Sequence, residues 1–132
     1  MRVISLVSLS LLLCWASACK KMVDPAFSST DYPAPIEEII VKRCATAGCH
    51  NATSYQNAAN LNLSNWSTLL KGGVSGAVVV PFSVSQSSLF QFINTHQDLG
   101  LMATPTMPIN GQALSREDVL LVRQWIQDGC AS

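Results

Sequence analysis

Residues 44–50 read Cys44-Ala45-Thr46-Ala47-Gly48-Cys49-His50: two cysteines with four residues between them, and a histidine directly after the second. At about 100° per residue, cysteines three positions apart lie about 60° apart around a helix, whereas cysteines five positions apart lie about 140° apart. A continuous helix therefore cannot aim both thiols at one edge of a flat group, so the spacers must bulge. Gly48 tolerates positive φ and permits the bulge, while Ala45 and Ala47 leave room beside the backbone.

The remaining cysteines depend on where the chain goes. Arg2, the apolar run Val3 to Leu13, and the small residues Ala16, Ser17 and Ala18 before Cys19 follow the order of a secretory signal. The run is shorter than the ~20 apolar residues that span a bilayer, so residues 1–18 are expected to be a cleaved signal peptide and the protein to be exported. Ala16-Ser17-Ala18-Cys19 also resembles a bacterial lipoprotein box with Cys19 as the lipidated residue, although Ala16 stands where Leu is usual. Cys14, preceded by the large Leu13, is the weaker candidate, and plain cleavage after Ala18 is the alternative. Several acyl chains on Cys19 would hold the protein on a membrane, facing the periplasm or the cell surface. Residues 19–32 then form the lipidated N-terminus and a polar tether, and residues 33–132 the domain.

A chain of 132 residues has room for one core. Without residues 1–18 it keeps seven Lys and Arg against eight Asp and Glu, a net charge of about −1, which offers no basic face to nucleic acid. Ser75 lies in Gly73-Val74-Ser75-Gly76 rather than in G-x-S-x-G, and no phosphate loop appears, so nothing encodes hydrolysis or phosphoryl transfer.

Cys44, Cys49 and Cys130 remain for the domain, and His50 and His96 are its histidines. A disulfide, Cys44 to Cys49 or either to Cys130, suits an exported protein but leaves His50 without a role. A zinc site drawing on Cys44, Cys49, His50, Cys130 and His96 would place adjacent residues on one ion and has no second Cys-x-x-Cys. Haem attachment accounts for all three clustered residues. In C-x-x-C-H the thiols add to the two vinyl groups and the imidazole binds iron; here two further spacers intervene. The expectation is one covalent haem c on Cys44 and Cys49, with His50 on the iron. Cys130 is left over, for a covalent dimer or for burial near the last turn.

A sixth iron ligand is sought among the later residues. Met107 lies in Thr104-Pro105-Thr106-Met107-Pro108, where the prolines stiffen an exposed loop, and Met sulfur favours reduced iron. Met102 reads as a core contact. His96, among Asn94, Thr95, Gln97 and Asp98, reads as part of a solvated helix end, with bis-His ligation or an open site as alternatives to Met107. Val78-Val79-Val80 reads as a short strand, after which Pro81 could offer its carbonyl to the other nitrogen of His50.

Helical spacing of Ile36, Ile39, Ile40 and Arg43 behind Pro35 predicts a first helix ending at the cluster. Ser64 is expected to cap a short helix to Leu70 stopped by Gly72-Gly73. Ser85 or Ser87 starts another, burying Leu89, Phe92 and Ile93. The last helix has Ser115 as cap, Glu117 and Asp118 at its positive end, and Gly129 as stop. Val119, Val122 and Ile126 mark its inner face, widened by Leu121 and Trp125. Residues 51–63 lack periodicity and are expected to wrap the haem edge.

Cys44 to His50, Met107-Pro108 and the stretch from Ser115 to Gly129 together resemble the class I cytochrome c fold. More narrowly, they are similar to small cytochrome c-like domains of Bacteroidetes and Planctomycetes lipoproteins, in which a Met-Pro loop precedes a final helix ending Trp-Ile-x-x-Gly. The resemblance runs from Pro33 to the C-terminus and departs in the cysteine spacing. It implies an all-α fold wrapped around one covalent haem, with the first and last helices crossing near it. It also implies an electron carrier rather than an enzyme, met by redox partner proteins at the haem edge. The alternatives are an accessory or structural module with a disulfide or metal in place of haem, and a haem peroxidase or ligand sensor with an open sixth site.

Overall fold

The computed structural model describes residues 29–132, so the signal peptide, Cys14, Cys19 and most of the tether lie outside the described residues. Four α-helices form the frame: α1 (Ala34–Ile39), α2 (Trp66–Lys71), α3 (Ser88–Ile93) and α4 (Arg116–Gln127). Short 3₁₀ turns at Tyr55–Asn57 and Gln97–Leu99 join them. Among the described residues there is no strand, and Val78 to Val80 run as irregular chain. The helical class holds, and the short strand expected there does not form. Its place is explained by Ser87, whose buried hydroxyl accepts from Val80 N–H (2.9 Å) and donates to Ser83 O (2.8 Å), folding this segment onto the start of α3.

Pro35 lies in the first turn of α1, where its missing N–H costs no hydrogen bond. The helix does not stop at Ile39. It widens into a π-helical turn over Ile40–Cys44, with Ala45 N–H bonded to both Ile40 O (3.1 Å) and Val41 O (3.2 Å). Such turns are rare and recur at functional sites.

Two caps follow the expected chemistry, one of them at a different residue. Asn65, not Ser64, caps α2 by accepting from Thr68 N–H at 2.9 Å; its amide oxygen fits the N-cap position one residue nearer the helix. Ser115 caps α4 as expected, accepting from Asp118 N–H at 3.1 Å.

α4 packs against both α1 and α3. Its inner face is Val119, Val122, Trp125 and Ile126, whereas Leu121 is exposed. At 100° per residue Leu121 lies beyond Trp125, at the rim of the face and about 160° from Val119, and at 45% exposure it does not widen the face. In α3 the buried residues are Leu89, Phe90 and Ile93, with Phe92 left at the edge of the core.

The packed body begins ahead of Pro33. Tyr32 is completely buried, donates its hydroxyl to Leu63 O (3.3 Å) and Asn65 O (3.2 Å), and meets Trp125 edge-on at 6.2 Å. The C-terminus is pinned by two indoles: Trp66 Nε1 donates to Cys130 O and Trp125 Nε1 to Ala131 O, each at 2.8 Å.

Candidate functional site

The cluster of residues 44–50 closes into a loop of its own. His50 N–H donates back to Cys44 O (3.2 Å), Cys49 N–H donates to Thr46 O (3.0 Å), and Gly48 takes φ +80°. The bulge that the spacing demands is therefore present, at the glycine suited to it. It starts from the π turn, which brings Cys44 to the end of the first helical segment.

The two thiols have different surroundings. Cys44 is buried, and its Sγ lies 3.7 Å from Ile39 O, five residues back. Burial pushes its thiol up to about 11, with Arg43 opposing that rise. Cys49 is exposed. Cys130 is buried after α4, and burial pushes it too up to about 11. Burial near the last turn, one of the two roles expected for it, is present in the single chain. All three are free thiols, and among the described residues no group of three or more His, Cys, Asp or Glu side chains gathers as a metal site.

These buried thiols give the haem-free chain a defined alkaline response. A thiol raised from 9.0 to about 11 keeps its proton in the folded state while the unfolded chain loses it. The stability it contributes is complete below pH 9.0 and is lost as pH rises through about 11. Urea denaturation of the haem-free protein should show the midpoint falling across that window. Cys44→Ala and Cys130→Ala should each flatten the fall, and an unchanged slope in both would count against these burials.

His50 is oriented by a main-chain group. Its Nδ1 lies 3.0 Å from Leu61 O; a carbonyl can only accept, so Nδ1 carries the proton and the lone pair sits on Nε2, the arrangement that suits a metal ligand. The expected carbonyl was that of Pro81, and this is corrected. Leu63 N–H donates to His50 O at 2.8 Å, which lays residues 61–63 alongside the histidine, while Pro81 is exposed and lines neither cavity described below. A main-chain carbonyl has no signature in sequence, so Leu61 could not be singled out there.

Two cavities meet at this histidine. The larger, about 670 Å³, is bordered by Lys42, Arg43, Cys49, Asn57, Pro108 and Gln112 among others. The smaller, about 190 Å³, is walled mainly by apolar side chains such as Leu61, Val78, Leu89, Phe92 and Ile93. Cys44, His50, Ala59 and Met107 line both. Their combined size and apolar walls suit a cofactor-sized ligand. Residues 57–59 and 61–63 supply one side, so the unpatterned segment after His50 does form a wall.

Met107 thus shares the cavities with His50, held there by its own N–H, which donates to Phe92 O at 2.8 Å. Ala103 N–H donates to Gln91 O (2.8 Å), and the buried Asn94 amide donates to Gly100 O (3.1 Å) and Leu101 O (3.2 Å). The Met107 loop is thereby hung from the end of α3. Met102, expected in the core, is 44% exposed, because the loop turns it outward. His96 lines neither cavity; its Nε2 is buried without a hydrogen-bond partner, so it is not in the solvated setting its neighbours suggested.

Residues 47–103 match the family model described as Planctomycete cytochrome C. The match supports a cytochrome c-like domain. Its range includes Cys49, His50 and Leu61, while Cys44 precedes it and Met107 follows it. A cytochrome c-like domain implies covalently bound haem c, and the donors present fit that group: two thiols, an imidazole with Nε2 free of its orienting bond, and a thioether, around an apolar cleft. No curated protein and no solved structure matches the chain.

Proposed function

We propose that this cytochrome c-like domain is a one-electron carrier of the class I type. It would hold a single haem c through thioethers to Cys44 and Cys49, with His50 and Met107 as axial ligands. The observation that carries the reading is that Cys44 and His50, from one loop, and Met107, from a segment more than fifty residues later, line the same pair of cavities. When bound, haem supplies reversible ferrous–ferric chemistry. The protein's part is to hold His50 by Leu61 O, to present Met107 from a loop tied to α3, and to exclude water with Leu89, Phe92 and Ile93. In the same reading Cys19 carries lipid that tethers the domain to a membrane on the periplasmic or outer side, and redox partners dock where Cys49 is exposed.

Mass spectrometry of the protein made alongside haem-attachment machinery tests this. A gain of one haem is expected, with both Cys44→Ser and Cys49→Ser lowering the yield and His50→Ala abolishing the native spectrum. A haem-free mass together with a Cys44–Cys49 disulfide would overturn the reading.

A further inference from the structure

Arg43 immediately precedes Cys44 in the π turn, yet its guanidinium bonds to the opposite lip of the larger cavity. Nη2 donates to Gln112 O at 3.1 Å and to Ala113 O at 3.5 Å, and Nη1 lies 3.6 Å from Asp118 Oδ2. All three partners follow Met107 in the chain. Upstream, the Met107 loop is fixed by the α3 carbonyls and Asn94. Between the two attachments, Pro108, Ile109, Gly111 and Gln112 border the cavity. This turn has little slack: Gly111 N–H donates to Pro108 O at 3.3 Å, and a Cβ on Gly111 would come within 2.9 Å of the Pro108 ring.

We infer that Arg43 is a positioning residue for Met107, clamping the downstream half of its loop to the segment that carries Cys44. The inference rests on the His50/Met107 reading above. A guanidinium suits the task because its planar fork serves two successive carbonyls and a carboxylate at once, whereas a lysine ammonium keeps the charge as a single point. The side chain is about one-third exposed, so the ion pair itself contributes little to global stability. Its effect lies in where the loop rests. Lys42 separates charge from clamping: it borders the same cavity but pairs with Glu38 on its own helical segment, at 3.6 Å.

The test uses the full haem-loaded protein and the haem-free chain, each as parent, Arg43→Lys, Arg43→Ala and Lys42→Gln. In ferrous protein, both Arg43 variants should bind carbon monoxide about tenfold more tightly, because a loosened Met107 occupies iron for a smaller fraction of the time. In haem-free protein, amide hydrogen exchange over residues 107–114 should quicken in the Arg43 variants. Lys42→Gln should leave exchange over residues 107–114 of the haem-free chain unchanged, and the urea midpoint of Arg43→Lys should move little. Parent-like exchange and carbon monoxide affinity in Arg43→Lys and Arg43→Ala would overturn the inference. Free carbon monoxide binding by the parent would instead refute Met107 ligation, and with it the ligand-positioning role, while exchange in the haem-free chain would still report on the clamp.

Discussion

Met107→Leu should convert the haem-loaded protein from one that resists carbon monoxide into one that binds it readily. Leucine is close to methionine in volume, so the wall between the two cavities persists and the fold should lose less than ~1.5 kcal/mol. Only the sulfur disappears. If the internal ligand occupies iron about 99% of the time in the parent, its removal raises apparent affinity about 100-fold. The reduction potential should fall as well, since thioether ligation favours ferrous iron. Titration of the reduced protein with carbon monoxide, followed by absorbance, measures the first effect, and potentiometry the second. Identical titrations for parent and variant would remove Met107 from the iron and favour the sensor or peroxidase reading. Met102→Leu is the internal control: that side chain is exposed and lines neither cavity.

Trp125→Ala should be the most damaging single core change. The indole is 6% exposed, meets the buried Tyr32 ring edge-on, and donates to Ala131 O at 2.8 Å. Truncations of this kind cost about 3–5 kcal/mol, set against a total stability of only about 5–15 kcal/mol for an ordinary domain. The haem-free variant should therefore be close to unfolded, and the haem-loaded form should melt well below the parent. Trp125→Phe keeps most of the packing and loses the N–H, at a cost of about 1 kcal/mol. Urea titrations followed by circular dichroism distinguish the two. A loss below about 1 kcal/mol for Trp125→Ala would show that the junction of α4 with Tyr32 does not hold the fold together.

What could be read from sequence was whatever side-chain type and spacing encode. The bulge at Gly48, the Pro35 start of α1, the Ser115 cap and the Val119, Val122 and Ile126 face of α4 each follow from local chemistry, and each is present. So is the placement of His50 and Met107 on common cavities, since rigid prolines and a Cys-His pair are themselves signals. Features made by the main chain or by tertiary contact were not legible. The Leu61 carbonyl on His50 depends on how residues 61–63 fold back, and the outward turn of Met102 depends on Asn94 gripping the carbonyls of Gly100 and Leu101. Tyr32 was grouped with the tether because its neighbours are polar, yet burial holds its phenol above the ordinary range, with Cys44 adding to the rise. Arg43 was visible only as a position at helical spacing; its reach to Gln112 spans 69 residues and no local pattern announces it.

The widened turn at Ile40–Cys44 also makes the length of this segment a form of register. A π turn is an α-helix carrying one additional residue, so this turn could return to ordinary α geometry either by losing one residue or by closing up at unchanged length. Loss of one residue would leave the following thiol close to its present angle, whereas closing up at unchanged length would swing it by about 100° around the axis. Substitutions that favour plain α geometry at unchanged length would therefore displace Cys44 from the cavities and Arg43 from Gln112 together, while a single-residue deletion would be absorbed by the turn. Homologous chains that lack the π turn should accordingly be one residue shorter across the segment.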